Sequence, residues 1–474
     1  EGLYADARGN LDLMQEVSDG YWQLARIQGV NSEPSLGDTK KAEQSLKKAD
    51  QLMEAVLRAR PKDPGALFRS AVIATDRVIQ ADTERRHDDQ KAHAKKAAGR
   101  LNAFLQYRDP KHPVKLEGFL RPGNPYDAES VGAGTLFVNL GISAVNNQSY
   151  EEGEQCARRG MELLRVTEAH GLMAQAMSVL ANALRYKGDL EGALRVIRES
   201  KELLKKASFP TESERKFALY AVLMREGRLL GEVDGINLGR CAEAVAALQQ
   251  ALDITEEFAS KDPSDIASRG RVATVVRELG AVLIDRDPVR AMAVYDIGLR
   301  RLHEMPTSVK SRRDEVRLLA NSSFALRRLH RNAEAKSQID AAFAILREIK
   351  EYPADRIPLG SFSYATVVAL AEYEAGLGNT GKALDIYEDL LKRALAADPQ
   401  PQQRLTDANM ISELYETMAA ISRRAGRLKR ASALHAERLK LWQDWHARLP
   451  NNQFVNGQLN AASRSGARSG DVTN

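Results

Sequence analysis

The chain has 474 residues, with 69 Lys+Arg against 64 Asp+Glu for a net charge of +5. A hydrophobic fraction of 43% excludes a wholly disordered chain, and two cysteines, Cys156 and Cys241, exclude a disulfide-stapled or four-thiolate zinc scaffold. So small a positive excess favours acidic partners only mildly, while an aromatic content of 6% and abundant Ala, Leu, Glu, Lys and Arg favour helix.

The chain opens at Glu1, so it is expected to be a processed or shortened product whose leader, anchor or upstream domain lies outside it. Residues 1–108 read as helix pairs. In the first, Tyr21, Leu24 and Ala25 precede Ala42, Leu46 and Ala49; residues 64–107 form a second with a weaker pattern. The charge-dense run from Arg85 to Lys96 reads as a solvated helix face. Residues 109–126 carry four prolines and two glycines, which forbid continuous helix. This segment is either a passive linker or a loop anchored by Val114, Leu116, Phe119 and Leu120.

Residues 127–449 repeat. Phe137, Leu140 and Gly141, followed by Gly153, Ala157 and Gly160, align without gaps on Met177, Leu180 and Ala181, followed by Ala193, Ile197 and Ser200; the offset is 40 residues. The template returns at Leu279-Gly280 with Ala291, Tyr295 and Gly298, and at Leu319, Ser323 and Leu326 with Ala335, Ile339 and Ala342. It returns again at Val367, Leu370 and Ala371 with Ala383 and Tyr387, and at Tyr415, Met418 and Ala419 with Ala431. It weakens at Leu223, Gly227 and Leu230, where an insertion precedes Ala244, Leu248 and Ala251. Gly29, Leu36, Gly37, Ala42, Leu46 and Ala49 recur 202 residues later at Gly231, Leu238, Gly239, Ala244, Leu248 and Ala251, as an ancestral duplication would produce.

Small residues at fixed sites let two antiparallel helices approach, with large residues of one filling the notch in the other. The pattern resembles the tetratricopeptide repeat, although its usual period is about 34 residues. The resemblance implies an all-α solenoid, a right-handed superhelix of about nine antiparallel helix pairs, whose concave groove is lined by the first helix of each pair. Carried over position by position, it places Val138, Asn139 and Ile142 in that groove, then Ser178, Asn182, Arg185 and Tyr186. Met224, Arg225 and Arg228 follow, then Arg277 and Glu278, and then Asn321, Phe324, Arg327 and Arg328. The recurring guanidinium forks suit carboxylates. The groove is therefore read as taking an acidic protein or peptide segment, with Asn139 and Asn182 bonding its backbone; a solvated, solubilising face is the competing reading. Exchanging Arg185, Arg225 and Arg228 together for Glu is expected to weaken capture and leave melting unchanged. The repeat clamp for a chaperone's terminal carboxylate is not supported, because Ser178 and Arg225 stand where Lys and Asn are required.

No enzyme activity, cofactor or metal is expected. Gly376 to Lys382 approaches a phosphate loop, but Ala383 stands where a hydroxyl must hold magnesium and a helix precedes it instead of a strand. Gly132-Ala-Gly134 lacks a third glycine, His330-Arg331-Asn332 lacks a catalytic Asp, and His87 and His93 lie on different sides of a helix. Cys156 reads as a semi-buried apolar residue. No stretch is long and apolar enough to cross a membrane. No nucleic-acid partner is expected, and the compartment stays open between cytoplasmic and exported. Residues 450–474 read as a polar tail that frays beyond about residue 460.

The segments Gly29–Asp38 and Leu441–Asn452 resemble the C-terminal repeat regions of bacterial serine/threonine protein kinases. That resemblance implies the sensory or scaffolding part of a signalling kinase, although kinase signatures are absent from the chain. The leading reading is a non-enzymatic interaction scaffold. The alternative is a self-assembling structural protein whose solenoid ends or flanks form oligomers or filaments, with Trp442 and Trp445 as either a cap or an oligomer contact.

Overall fold

A computed structural model describes residues 9–29, 38–84, 86–109, 111–112, 114, 128–233, 235–262 and 265–470. The chain forms two compact units, Glu1–Ala183 with Glu202–Phe209, and Leu184–Lys201 with Pro210–Asn474. No strand occurs among the described residues.

In the first unit α1 (Leu11–Gln28) packs on α2 (Thr39–Ala59) and α3 (Pro64–Thr83) on α4 (His87–Tyr107). After a π-helical turn at Ala128–Gly132, α5 (Ala133–Asn146) packs on α6 (Tyr150–Leu164) and on α3. Helices α7 (His170–Tyr186) and α8 (Leu190–Lys206) each contribute residues to both units. The second unit pairs α9 (Glu212–Gly231) with α10 (Cys241–Lys261), α11 (Ile266–Leu283) with α12 (Pro288–His303) and α13 (Val309–Arg328) with α14 (Asn332–Glu348). It continues with α15 (Phe362–Gly376) on α16 (Thr380–Ala396), and α17 (Leu405–Arg424) on α18 (Leu428–Arg448), closed by α19 (Gln453–Gly470). The first helices also meet: α9 touches α11, α11 touches α13, and α13 touches α15. Among the described residues the expected all-helical succession of paired helices is present, with α19 in addition.

Local chemistry sets the helix starts. Asp38, Asp63, Asp265, Asp287 and Ser361 each accept a hydrogen bond from a backbone N–H in the first turn, and Pro64 and Pro288 follow their Asp caps directly. Each such cap contributes about 1 kcal/mol. Ser308 and Ser311 cap α13 reciprocally.

The small-residue notches are buried. Ala42, Ala49, Ala157, Ala193, Ala244, Ala251, Ala291, Ala335, Ala342 and Ala383 have no exposed surface. A Cβ on Gly280 would lie 2.5 Å from the Tyr295 ring, and one on Gly298 would lie 2.7 Å from Val276 of α11 and 2.9 Å from Leu318 of α13. These are the large-into-small contacts that the repeat required. Helices of the second unit reach 21 residues.

The near phosphate loop is the turn between α15 and α16. Gly378 has φ of 84°, a conformation that favours glycine, and the Lys382 ammonium is held 2.7 Å from Glu374. Of the residues expected to anchor the 109–126 segment, Val114 packs against the core of the first unit; Leu116, Phe119 and Leu120 lie outside the described residues. Residues 30–37 of the first enlarged turn lie outside them too.

The C-terminal segment differs from the expected fraying tail: it is helical to Gly470. Val455 and Ala462 are fully buried, and Phe454 packs edge-on to Trp442 at 5.9 Å. Three apolar side chains on one face suffice to dock an otherwise polar helix onto α18.

Candidate functional site

The first helices of the second unit place a polar stripe along their shared face. At the end of α7, Arg185 is 3% exposed; its Nε donates to the Ile236 carbonyl at 2.6 Å and its fork grips Glu232. Ile236 belongs to the enlarged turn after α9, which is held in place by Leu238 N–H to the Leu229 carbonyl and Arg240 N–H to the Leu230 carbonyl. Arg228 of α9 donates from Nε and Nη2 to one Glu278 oxygen of α11 at 3.1 and 2.9 Å. Arg277 reaches the same oxygen at 2.6 Å. Farther along, Arg327 of α13 lies 3.8 Å from Glu372 of α15, whose carboxylate also accepts from the Tyr387 hydroxyl at 2.9 Å.

The electrostatics follow from burial. Burial raises the Glu278 carboxyl, but Arg228 and Arg277 outweigh it and hold the group below its usual range. Burial depresses Arg225, and the like charge of Arg228 adds to that. Burial lifts the Tyr220 hydroxyl while four surrounding arginines, Arg271, Arg228, Arg225 and Arg277, oppose it. Asp314 of α13 is also lifted by burial, against the pull of Arg277 and Lys310.

The sequence-predicted residues fall into two sets. Asn139 on α5 and Asn182 on α7 belong to the first unit, where both are half-buried. Arg185, Tyr186, Arg225, Arg228, Arg277, Asn321 and Arg327 belong to the second. There Arg185, Arg228 and Arg277 converge on two carboxylates, Tyr186 lies under the Arg185 guanidinium at 5.5 Å, and Asn321 neighbours the buried Tyr295 hydroxyl. Val138, Ser178 and Met224 are buried, whereas Arg328 is exposed and paired with Asp285. Arg185 is therefore as much a tie between α7 and the turn after α9 as a surface charge. Its exchange for Glu would lower melting, contrary to the expectation of unchanged melting. Glu232 and Tyr220 were missed by the repeat register. Glu232 lies on the inserted turn, which has no counterpart in the template, and Tyr220 stands about one helical turn before the expected offsets.

No protein-family model matches the sequence, and no curated protein matches it. Solved structures do match. The apo form of RapI superposes with a TM-score of 0.52 at 9% identity, covering 92% of this chain and 99% of that one. The fold is a tetratricopeptide-like helical repeat. Aspartyl phosphate phosphatase F from Bacillus subtilis gives a TM-score of 0.46 at 11% identity over 91% of this chain and 94% of its own. The human IFIT1 dimer with m7Gppp-AAAA gives 0.42 at 13% identity over 97% and 95%.

Elsewhere, no group of three or more His, Cys, Asp or Glu with metal-holding geometry occurs among the described residues, and none of their helices is long and apolar enough to cross a membrane. Burial raises the Cys156 thiol to about 11, which makes it a poor nucleophile at neutral pH.

Proposed function

We propose that the protein is a non-enzymatic interaction scaffold whose first-helix face in the second unit takes up an acidic segment of a partner protein. The observation that carries this reading is the direct bonding of Arg228 on α9 to Glu278 on α11. It brings arginines from separate repeats onto one face, as a groove built from successive first helices requires. A finer version makes the array the sensory or scaffolding part of a bacterial signalling kinase. Its support is the sequence of the two short segments Gly29–Asp38 and Leu441–Asn452.

Assembly through the C-terminal end is the weaker reading. Trp442 and Trp445 are covered, and their indole N–H groups donate internally to Ser412 Oγ and the Pro401 carbonyl, both at 2.8 Å.

The test is selection of a displayed random peptide library on the immobilised full chain at low and high salt. Enrichment of Asp and Glu, with binding lost as the salt screens exposed charges, is the expected result. Enrichment of neutral or basic sequences, or failure to enrich any, would remove the acidic-segment reading.

A further inference from the structure

Arg225 differs from every other arginine around it. Arg185 has Glu232, Arg228 and Arg277 share Glu278, and Arg271 donates to Ser268 Oγ at 3.1 Å. Among the described residues Arg225 has no ion pair. Its Nη1 donates to the Ala221 carbonyl one turn back at 2.8 Å, and its Nε is buried without a hydrogen-bond partner. A guanidinium in this state is costly, because burial removes the water from Nε and nothing replaces the hydrogen bond lost there. Arg228, Tyr220 and Tyr186 surround it. The charge of Arg228 is met by Glu278, and the phenolic hydroxyl of Tyr220 can donate to an oxyanion. The site thus lacks only a counter-ion.

The geometry points to Arg225 as the receptor for one carboxylate group, carried in the proposed function by an Asp or Glu side chain of the bound segment. The single uncompensated guanidinium calls for a monoanion, and its free N–H edge offers the parallel donors that a carboxylate accepts. The surrounding arginines are structural, so the charge of the patch as a whole overstates its capacity for anions. The peptide part of this inference rests on the scaffold reading; the anion site does not.

The test uses the full chain with ¹⁵N-labelled arginine. The Arg225 Nε–H resonance is assigned by its loss in Arg225→Gln, and sodium acetate, inorganic phosphate and sodium chloride are titrated at matched ionic strength. A saturable shift with acetate, absent with chloride, is expected. A response to phosphate alone, or none beyond that of chloride, would overturn the assignment. In parallel, acidic peptides from the library selection are titrated into wild type, Arg225→Gln and Arg225→Lys, with circular dichroism confirming that the variants stay helical. Loss of a charge-assisted hydrogen bond should weaken binding about tenfold or more in Arg225→Gln, with a smaller loss in Arg225→Lys, which keeps charge but not the fork. Acidic peptides that bind all three equally would refute Arg225 as their receptor while sparing the scaffold. An acetate response in a chain that captures no peptide would keep the anion site and discard the scaffold reading.

Discussion

His93 shows how one residue's surroundings set a measurable property. It lies on α4 facing Arg77, Asp50, Asp89 and Lys96, and burial, reinforced by the positive Arg77, lowers its pKa from 6.5 to about 4. Between those values the unfolded chain binds a proton that the folded chain refuses, so the group withdraws stability as pH falls from 6.5 toward 4 and returns it as pH rises. Thermal melting followed across that window should decline on acidification, and His93→Gln should flatten the decline; an unchanged slope would rule out His93 as its source. Glu278 acts lower on the scale. Its depressed pKa means that its contribution is complete above about 4.5 and is lost as pH falls below that value. The residue type at each of these positions is visible in the sequence, but the shifts are not. They depend on cations delivered by other helices, such as Arg77 of α3 and Arg228 of α9.

At the scale of the element, the helix pair is the unit that the sequence specifies most completely. Its contacts join residues within about 40 positions, and the small residues that permit them recur at fixed spacing. Gly298 of α12 is the clearest case, lying against Val276 of α11 and Leu318 of α13. By helix propensity alone, Gly298→Val should be neutral or favourable. Instead the added side chain has no room, and overpacking should cost about 1–3 kcal/mol, read as a lowered melting temperature. A melting temperature equal to or above that of wild type would show that the notch is not a packing site. Capping is equally local in the structure, where Asp265 and Ser361 accept hydrogen bonds from N–H groups three residues on. The helical state of Gln453–Gly470 was not legible, because its few apolar residues acquire meaning only against Trp442 and its neighbours.

At the scale of the whole molecule, the second unit contains a contact that no repeat pattern contains. Asn452 caps α19 by accepting from the Val455 N–H at 3.2 Å, and its Nδ2 donates to the Lys187 carbonyl at 2.7 Å, across 265 positions of the chain. Lys187 and Gly188 form the turn before α8, with Gly188 at φ of 87°. Removal of residues 453–474 should uncover Trp442 and loosen this tie together, lowering thermal stability more than Asn452→Ala alone. Equal melting of the truncated and complete chains would show that α19 is an ornament. The sequence by itself determined the helical class, the pairing and the notches, because those depend on contacts made over one repeat. Only the tertiary structure decided which charges are spent and which are free. Arg185, Arg225, Arg228 and Arg277 look alike in sequence, yet a guanidinium's availability depends on whether an inserted turn or a neighbouring helix brings a carboxylate to it, and that follows from packing rather than from spacing.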